Sequence, residues 1–180
     1  MLVSLEMIRA LVFDWGDTVM RVFPEFSGPM AHWPRVEAVP GIENALRAAK
    51  LSYAIALASN ASDSGSSLVR DALERAGLEK YFDEVFTARD LNATKPDSAF
   101  YRGILRKLEL APDEVVMIGD QFETDIAGAK KTGLWTIWYN PSDKEPPIGL
   151  EGMADIVIQR YSDMENALMM ISGRASRTMS

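Results

Sequence analysis

Polar residues with catalytic potential directly follow three short apolar segments of the chain. Asp14 follows the segment 10–13, Ser59 and Asn60 follow 53–58, and Gly119 and Asp120 follow 115–118. If the segments are parallel strands of one sheet, their carboxyl ends share the edge at which open α/β sheets bind ligands. Carboxylates brought together there repel each other unless a divalent cation lies between them, and oxygen ligands of this kind suit Mg²⁺. Asp14 and Asp120 therefore predict a magnesium site, with helix N-caps or turn residues as the alternative interpretation.

The elements that would position these residues alternate along the chain. Apolar segments without polar–apolar alternation suit strands covered on both faces, and they occur at 10–13, 53–58, 115–118, 134–139 and 155–158, with a further short strand predicted at 82–86. Helical patterns are found at 41–50, 64–76, 98–108, 124–131 and 163–171. This order predicts an α/β fold with a doubly wound, mostly parallel sheet and helices on both faces, a three-layer α/β/α arrangement with right-handed crossovers.

We expect one domain over residues 1–172, because no repeat, low-complexity tract or interdomain linker interrupts the pattern. Residues 173–180 are predicted to be a polar C-terminal tail, and residues 20–39 a short flap about the size of a β-hairpin. The flap contains His32, the only histidine of the chain. This histidine could contact a substrate, although packing or exposure within the loop is the commoner role.

Composition excludes several classes of function. The 180 residues include 26 acidic and 19 basic side chains, a formal charge of −7, which argues against nucleic-acid binding because such surfaces need clustered Lys and Arg. The chain has no cysteine, so disulfides and zinc–thiolate sites are excluded. Residues 1–9 do not resemble a signal peptide, and no apolar run is long enough to cross a membrane. We therefore expect a cytoplasmic protein that does not bind membranes.

Four segments in this order resemble the motifs of the haloacid dehalogenase superfamily. They are residues 11–19 (LVFDWGDTV), Ser59 after its apolar strand, Lys95–Pro96, and residues 118–130 (IGDQFETDIAGAK). The resemblance extends from about residue 11 to residue 140, and the fourth motif is the most specific. Without this context, Lys95 would be interpreted as a solvated loop lysine and Ser59 as a helix cap.

The resemblance implies a Mg²⁺-dependent phosphatase in which Asp14 attacks the phosphorus and forms an aspartyl-phosphate that water then hydrolyses. It implies a role for each other matching position. Asp14, Asp120 and the backbone carbonyl of Gly16 would bind magnesium, with Asp125 in or near the metal shell. Ser59 and the Asn60 amide would donate hydrogen bonds to phosphoryl oxygens. Lys95 would neutralise the negative charge of the nucleophile and of the phosphoryl group.

Position 16 departs from the pattern. Phosphatases of this superfamily usually carry a second Asp two residues after the nucleophile, which protonates the leaving group, but here that residue is Gly16. Asp17 either replaces the missing acid through a shifted loop or is a turn residue. The alternatives to an efficient phosphatase are therefore a weak or inactive protein that binds phosphate or a protein partner, and a 2-haloacid dehalogenase. Acyl and aryl phosphates, whose leaving groups depart without protonation, should be affected least by the missing acid.

The resemblance also bears on substrate size. Superfamily members often insert a large cap domain, but the segments at 20–39 and 61–94 are too short to form one. The site is therefore expected to be open to a phosphorylated substrate that is either a small molecule or larger, unless a homodimer partner covers it. Trp135 and Trp138 are expected to be core residues or part of a dimer contact.

Overall fold

The computed structural model describes residues 8–178, and its centre is a six-stranded sheet in which every neighbouring pair of strands is parallel. The strands are β1 (Ala10–Asp14), β2 (Ala54–Ser59), β3 (Glu84–Thr87), β4 (Val115–Gly119), β5 (Trp135–Tyr139) and β6 (Ile156–Ile158). Their order, β3-β2-β1-β4-β5-β6, reverses direction at β1 and confirms the doubly wound α/β prediction. The interpretation of the N-terminus as lacking a signal peptide concerns mainly residues outside the described range.

Helices cover both faces of the sheet. They are α1 (Ile42–Ala49), α2 (Ser66–Arg75), α3 (Ala88–Leu91), α4 (Ser98–Leu108), α5 (Gly128–Lys131) and α6 (Met164–Thr178). Leu11 and Phe13 of β1 face the core beneath α1, α2 and α6, whereas Ala10 and Val12 face the core beneath α4 and α5. Because β1 is buried on both faces, its sequence is continuously apolar, as the sequence analysis assumed.

Two helical segments differ from their predicted form. α6 continues to Thr178, so the prediction that residues 173–180 form a polar tail is wrong for 173–178. The physical reason is packing, since Ala175 is fully buried one helical turn after Ile171. The predicted helix at 124–131 begins earlier, with a π-helical turn at Phe122–Ala127 that leads into α5.

The flap at 20–39 is anchored at its base and along one side. Met20 and Ala38 form an antiparallel bridge, and the Arg21 N–H donates to Glu37 O at 2.9 Å. Its interior is a small cluster of three aromatic rings, those of Phe23, Phe26 and Trp33. A short 3₁₀ helix, Met30–His32, packs against α2. No large cap domain is present within residues 8–178, and none of the helices described there is long and apolar enough to cross a membrane.

Candidate active site

The carboxyl ends of β1, β2 and β4 bring the predicted residues to one edge of the sheet. Asp14 is the last residue of β1 and pairs in register with Ala58 of β2, which places Ser59 directly beside it. On the other side Phe13 pairs with Ile118, so Asp120 follows β4 at the same level. The parallel register therefore assembles the site that the strand ends predict.

Lys95 lies at the centre of this edge with its ammonium group enclosed. Its Nζ donates to Asp14 Oδ1 at 2.5 Å, to Asp125 Oδ1 at 2.8 Å and to the carbonyl oxygen of Ala58 at 3.0 Å, so all three protons are used. Burial lowers the pKa of Lys95, but the charges of Asp125 and Asp14 outweigh burial and hold that pKa above its ordinary value. Lys95 is therefore a fixed positive charge beside Asp14.

Three carboxylates meet around this lysine. Asp14, Asp120 and Asp125 each offer an oxygen, and these oxygens all lie within 4.8 Å of one another. Burial, followed by the charges of Asp14 and Asp125, raises the pKa of Asp120 from 3.8 to about 7. Burial and the charge of Asp14 raise the pKa of Asp125 to about 6, although Lys95 opposes that shift. The single positive charge of Lys95 therefore does not balance the three carboxylates.

The donor set fits a hard divalent cation. Three ionised carboxylates and one ammonium leave two negative charges, which one Mg²⁺ would neutralise, and all the available donors are oxygens. Gly16 can contribute as well, because its carbonyl oxygen accepts no hydrogen bond from any residue between 8 and 178. The residues present therefore fit a divalent cation such as Mg²⁺.

Thr18 and Trp138 support the carboxylates, and the sequence analysis assigned neither of them such a role. The Thr18 hydroxyl lies 3.0 Å from Asp14 Oδ2 and 3.1 Å from Asp120 Oδ1, and it accepts the Asp120 N–H at 3.1 Å. Trp138 Nε1 donates to the carbonyl oxygen of Asp120 at 3.0 Å, and its ring packs on Phe122. The position of Thr18 within the first motif was a usable signal, whereas the role of Trp138 depends on β5 lying beside β4.

Ser59 and Asn60 have different surroundings. Ser59 is buried, and its Oγ accepts the Ala61 N–H at 3.0 Å, which leaves the hydroxyl proton available as a donor. The Asn60 side chain instead makes two hydrogen bonds with the backbone of Lys95. The structure therefore brings Ser59 to the site as predicted and gives the Asn60 carboxamide a contact with the Lys95 loop.

The segment after Asp14 forms a turn. Asp17 has a φ of 55°, is exposed, and its Oδ1 accepts the Val22 N–H at 2.9 Å, which is the geometry of a turn residue. A Cβ at Gly16 would lie 2.9 Å from Val22 Cγ2, so the flap occupies the space beside position 16. His32 is exposed in the 3₁₀ helix that packs on α2, and no contact joins it to the carboxylates within the described residues.

Comparison with known proteins places this fold and site in a family. Residues 6–139 match the haloacid dehalogenase-like hydrolase family, and the chain belongs to it. It is 39% identical over 74 residues to pyrimidine 5′-nucleotidase PynA of Streptococcus pneumoniae, covering 41% of this chain and 31% of the relative. It is 32% identical over 114 residues to pyrimidine 5′-nucleotidase YjjG of Escherichia coli, covering 62% of this chain and 49% of the relative. The chain thus spans at most about half the length of these curated relatives, both of which are phosphatases.

Solved structures confirm the architecture. An uncharacterized protein from Listeria monocytogenes serotype 4b superposes with a TM-score of 0.81 at 25% identity, covering 92% of this chain and 99% of that one. A 2-haloacid dehalogenase from Pseudomonas syringae superposes with a TM-score of 0.75 at 19% identity, covering 91% of this chain and 99% of that one. The second likeness concerns the fold alone, because this fold supports more than one reaction.

Proposed function

We propose that this protein is a Mg²⁺-dependent phosphatase that hydrolyses a phosphomonoester or a related phosphate through an aspartyl-phosphate on Asp14. The observation that carries the proposal is the state of Asp14: one carboxylate oxygen is held by the Lys95 ammonium and the other by the Thr18 hydroxyl. A carboxylate fixed in this way cannot rotate freely, which favours attack along one direction. The relatives' phosphatase activities support the same reaction class.

Two displacements complete the reaction. In the first, a carboxylate oxygen of Asp14 forms a bond to phosphorus while the ester P–O bond breaks and the leaving group takes the electron pair. In the second, water attacks the phosphorus of the aspartyl-phosphate, inorganic phosphate departs, and the Asp14 carboxylate is regenerated. Lys95 remains charged throughout and offsets the negative charge on Asp14 and the phosphoryl group. Ser59 would donate its free hydroxyl proton to a phosphoryl oxygen.

The proposed metal ligands are Asp14, Asp120 and the carbonyl oxygen of Gly16, with Asp125 close to the ion. When bound, Mg²⁺ would supply positive charge that reduces the repulsion between an anionic nucleophile and an anionic ester. Asp125 accepts both the Lys95 ammonium and the Gln121 N–H, at 2.8 and 3.0 Å, so its main task would be to orient Lys95.

A weakly active protein is the second candidate, and Gly16 is the observation that favours it. No side chain at position 16 can protonate the leaving oxygen, and the Oδ1 of Asp17 is already bonded to the Val22 N–H. The dehalogenase alternative fits less well, because a divalent-cation site of three carboxylates has no function in displacing halide from a haloacid. Substrates whose leaving group needs no proton are therefore the first to test.

The test is phosphate release from an aryl phosphate by the purified protein, with Mg²⁺ and with a chelator, beside an Asp14→Asn variant. Asp71→Asn, an exposed position on α2, is the matched control for loss of one carboxylate. We expect metal-dependent turnover in the wild type and in Asp71→Asn, and none in Asp14→Asn. Equal release by the wild type and Asp14→Asn would refute the proposal.

A further inference from the structure

A second feature of the site edge is a cavity of about 290 Å³ that opens beside Asp120. Its walls come from the turn after β1 and from the loop after β5, and they include Arg21, Tyr139 and Lys144. The volume is small for a ligand pocket, with room for about ten water molecules, which suits a group of a few carbon atoms. Because Asp120 belongs to both the carboxylate cluster and the cavity wall, the cavity adjoins the edge at which the phosphate is proposed to react.

The cavity wall carries two basic side chains, Lys144 and Arg21, whose free N–H donors can hold an anion. Lys144 is exposed, and its ammonium group has no ion-pair or hydrogen-bond partner among residues 8–178. Arg21 donates to Glu37 through one nitrogen at 3.1 Å, which leaves further N–H donors of its guanidinium for a ligand. The wall also carries two acids: Asp120, whose charge the proposed Mg²⁺ would offset, and Asp17, whose Oδ1 accepts the Val22 N–H at 2.9 Å.

The wall that carries Lys144 is held in place by a buried side chain. Asn140 is only 4% exposed, and its carboxamide donates to Lys144 O at 2.9 Å and accepts the Lys144 N–H at 3.0 Å. The Asn140 N–H donates to Ile158 O, and Gln159 donates to Asp143 Oδ1, both at 2.8 Å. The loop is therefore tied to β6, so that an anion would meet a preorganised backbone.

We propose that this cavity binds a second anionic group, a carboxylate or a phosphate, on the leaving-group side of the substrate, through Lys144 and Arg21. The inference rests on the proposed phosphatase function and goes beyond it by naming a substrate class: phosphate esters of small alcohols that carry another acidic group. The Tyr139 phenol and the Ser142 hydroxyl line the same cavity and offer hydrogen bonds to such a group. A neutral alcohol of the same size would leave Lys144 without a partner.

The experiment compares substrates that differ only in the second charge. We would measure kcat and KM for 3-phosphoglycerate against glycerol 3-phosphate, and for 1,3-propanediol bisphosphate against its monophosphate, in the presence of Mg²⁺. The first pair tests a carboxylate and the second a phosphate. We expect kcat/KM to be at least about tenfold higher for the member of one pair that carries the second acidic group, as one charge-assisted hydrogen bond would give.

Variants identify the residue responsible. Lys144→Ala should remove that preference by raising KM about tenfold for the substrate with the second acidic group, while changing kcat and KM for the substrate without it less than about twofold. Lys144→Arg should keep the preference, and Lys107→Ala, an exposed lysine of α4, should leave it unchanged. The inference is overturned if the wild type shows no preference, or if Lys144→Ala affects both members of a pair equally.

The two proposals fail separately. If an aryl phosphate is hydrolysed in an Asp14-dependent manner but neither pair shows a preference, only the cavity assignment fails. If no Asp14-dependent hydrolysis occurs, the phosphatase proposal fails. The cavity is then tested by calorimetric binding of 3-phosphoglycerate against glycerol 3-phosphate and of 1,3-propanediol bisphosphate against its monophosphate. Tighter binding of a compound with the second acidic group, weakened by Lys144→Ala, would keep the cavity assignment, and equal or absent binding would overturn it.

Discussion

The carboxamide of Asn60 clamps the backbone of Lys95 from both ends: its Nδ2 donates to Lys95 O at 3.0 Å, and its Oδ1 accepts the Lys95 N–H at 2.8 Å. Asn60 follows β2 and Lys95 precedes α4, so the pair joins two loops that are far apart in sequence. The clamp fixes the point from which the Lys95 side chain extends to Asp14. We infer that the Asn60 side chain is a positioning group that acts through Lys95, whereas the hydrogen bond from the Asn60 amide to a phosphoryl oxygen stays a prediction.

Asn60→Ala should therefore lower kcat for an aryl phosphate by about tenfold or more and leave KM nearly unchanged, because the charge on Lys95 is retained but displaced. Loss of the two hydrogen bonds should also lower the free energy of unfolding by about 1–3 kcal/mol. Asn44→Ala, at an exposed position in α1, is the matched control and should change neither quantity noticeably. An unchanged kcat with a tenfold higher KM would identify Asn60 as a direct phosphate ligand instead.

The sequence predicted the strand framework of the site because burial on both faces makes each central strand continuously apolar. Asp14, Ser59 and Asp120 follow from that framework, since the parallel register brings the ends of β1, β2 and β4 together. The Asn60 clamp could not be predicted, because a hydrogen bond between two loops depends on their conformations. The contact of Trp138 with the Asp120 carbonyl likewise requires β5 to lie beside β4.

Gly119 at the end of β4 is required by the close approach of Asp125. A Cβ built at Gly119 would overlap both the Cβ and the carboxylate of Asp125, which is fully buried and cannot move aside easily. Gly119→Ala should therefore displace Asp125 from Lys95, lower activity by more than about 100-fold and lower Tm, as overpacking in a core does.

Gly173→Ala provides the comparison for this substitution. Gly173 lies in α6 with nothing within 4 Å of its Cβ position, so alanine there should leave activity unchanged and raise stability slightly through helix propensity. Kinetics and thermal unfolding of both variants would decide the matter. Wild-type activity in Gly119→Ala would show that the position of Asp125 relative to Lys95 does not matter for catalysis.

Magnesium should stabilise the protein more at high pH than at low pH. The pKa of Asp120 is raised from 3.8 to about 7 and that of Asp125 to about 6, so the metal-free folded protein holds these protons more tightly than the unfolded chain. The stabilisation that comes from this tighter proton binding is fully present below the pKa of the unfolded chain. It is lost between about pH 4 and 7, as the pH rises through the pKa values of the folded protein. A bound divalent cation offsets the repulsion among the ionised carboxylates.

We therefore expect the increase in Tm caused by Mg²⁺ to be small at pH 5 and several degrees larger at pH 8, measured by thermal unfolding at constant ionic strength. Asp120→Asn should weaken the pH dependence, because it removes one carboxylate and one metal ligand. An increase in Tm that is equal at both pH values, or equal in Asp120→Asn, would contradict a metal site formed by these carboxylates.

Asp17 should be dispensable as an acid. Its φ of 55° and its hydrogen bond with the Val22 N–H are both compatible with asparagine, which tolerates the left-handed region and keeps an oxygen acceptor. Asp17→Asn therefore removes the titratable proton while preserving the turn, and kcat for an alkyl phosphate should stay within about twofold of the wild type. A decrease of 100-fold or more, the usual contribution of a general acid, would show that Asp17 replaces the missing group.

Gly16→Asp should create an acid where the chain has none, provided that the flap makes room. Its Cβ would lie 2.9 Å from Val22 Cγ2, and Val22 is exposed, so Val22→Ala removes the overlap with little loss of core packing. The double variant should hydrolyse an alkyl phosphate about 100-fold faster than Val22→Ala alone, because the leaving alkoxide needs a proton, and an aryl phosphate only slightly faster. Gly16→Asn with Val22→Ala, which has similar size but no acidic proton, should show no such gain. Equal acceleration of alkyl and aryl phosphates would mean that position 16 affects binding or geometry, and that the missing acid is not what limits this site.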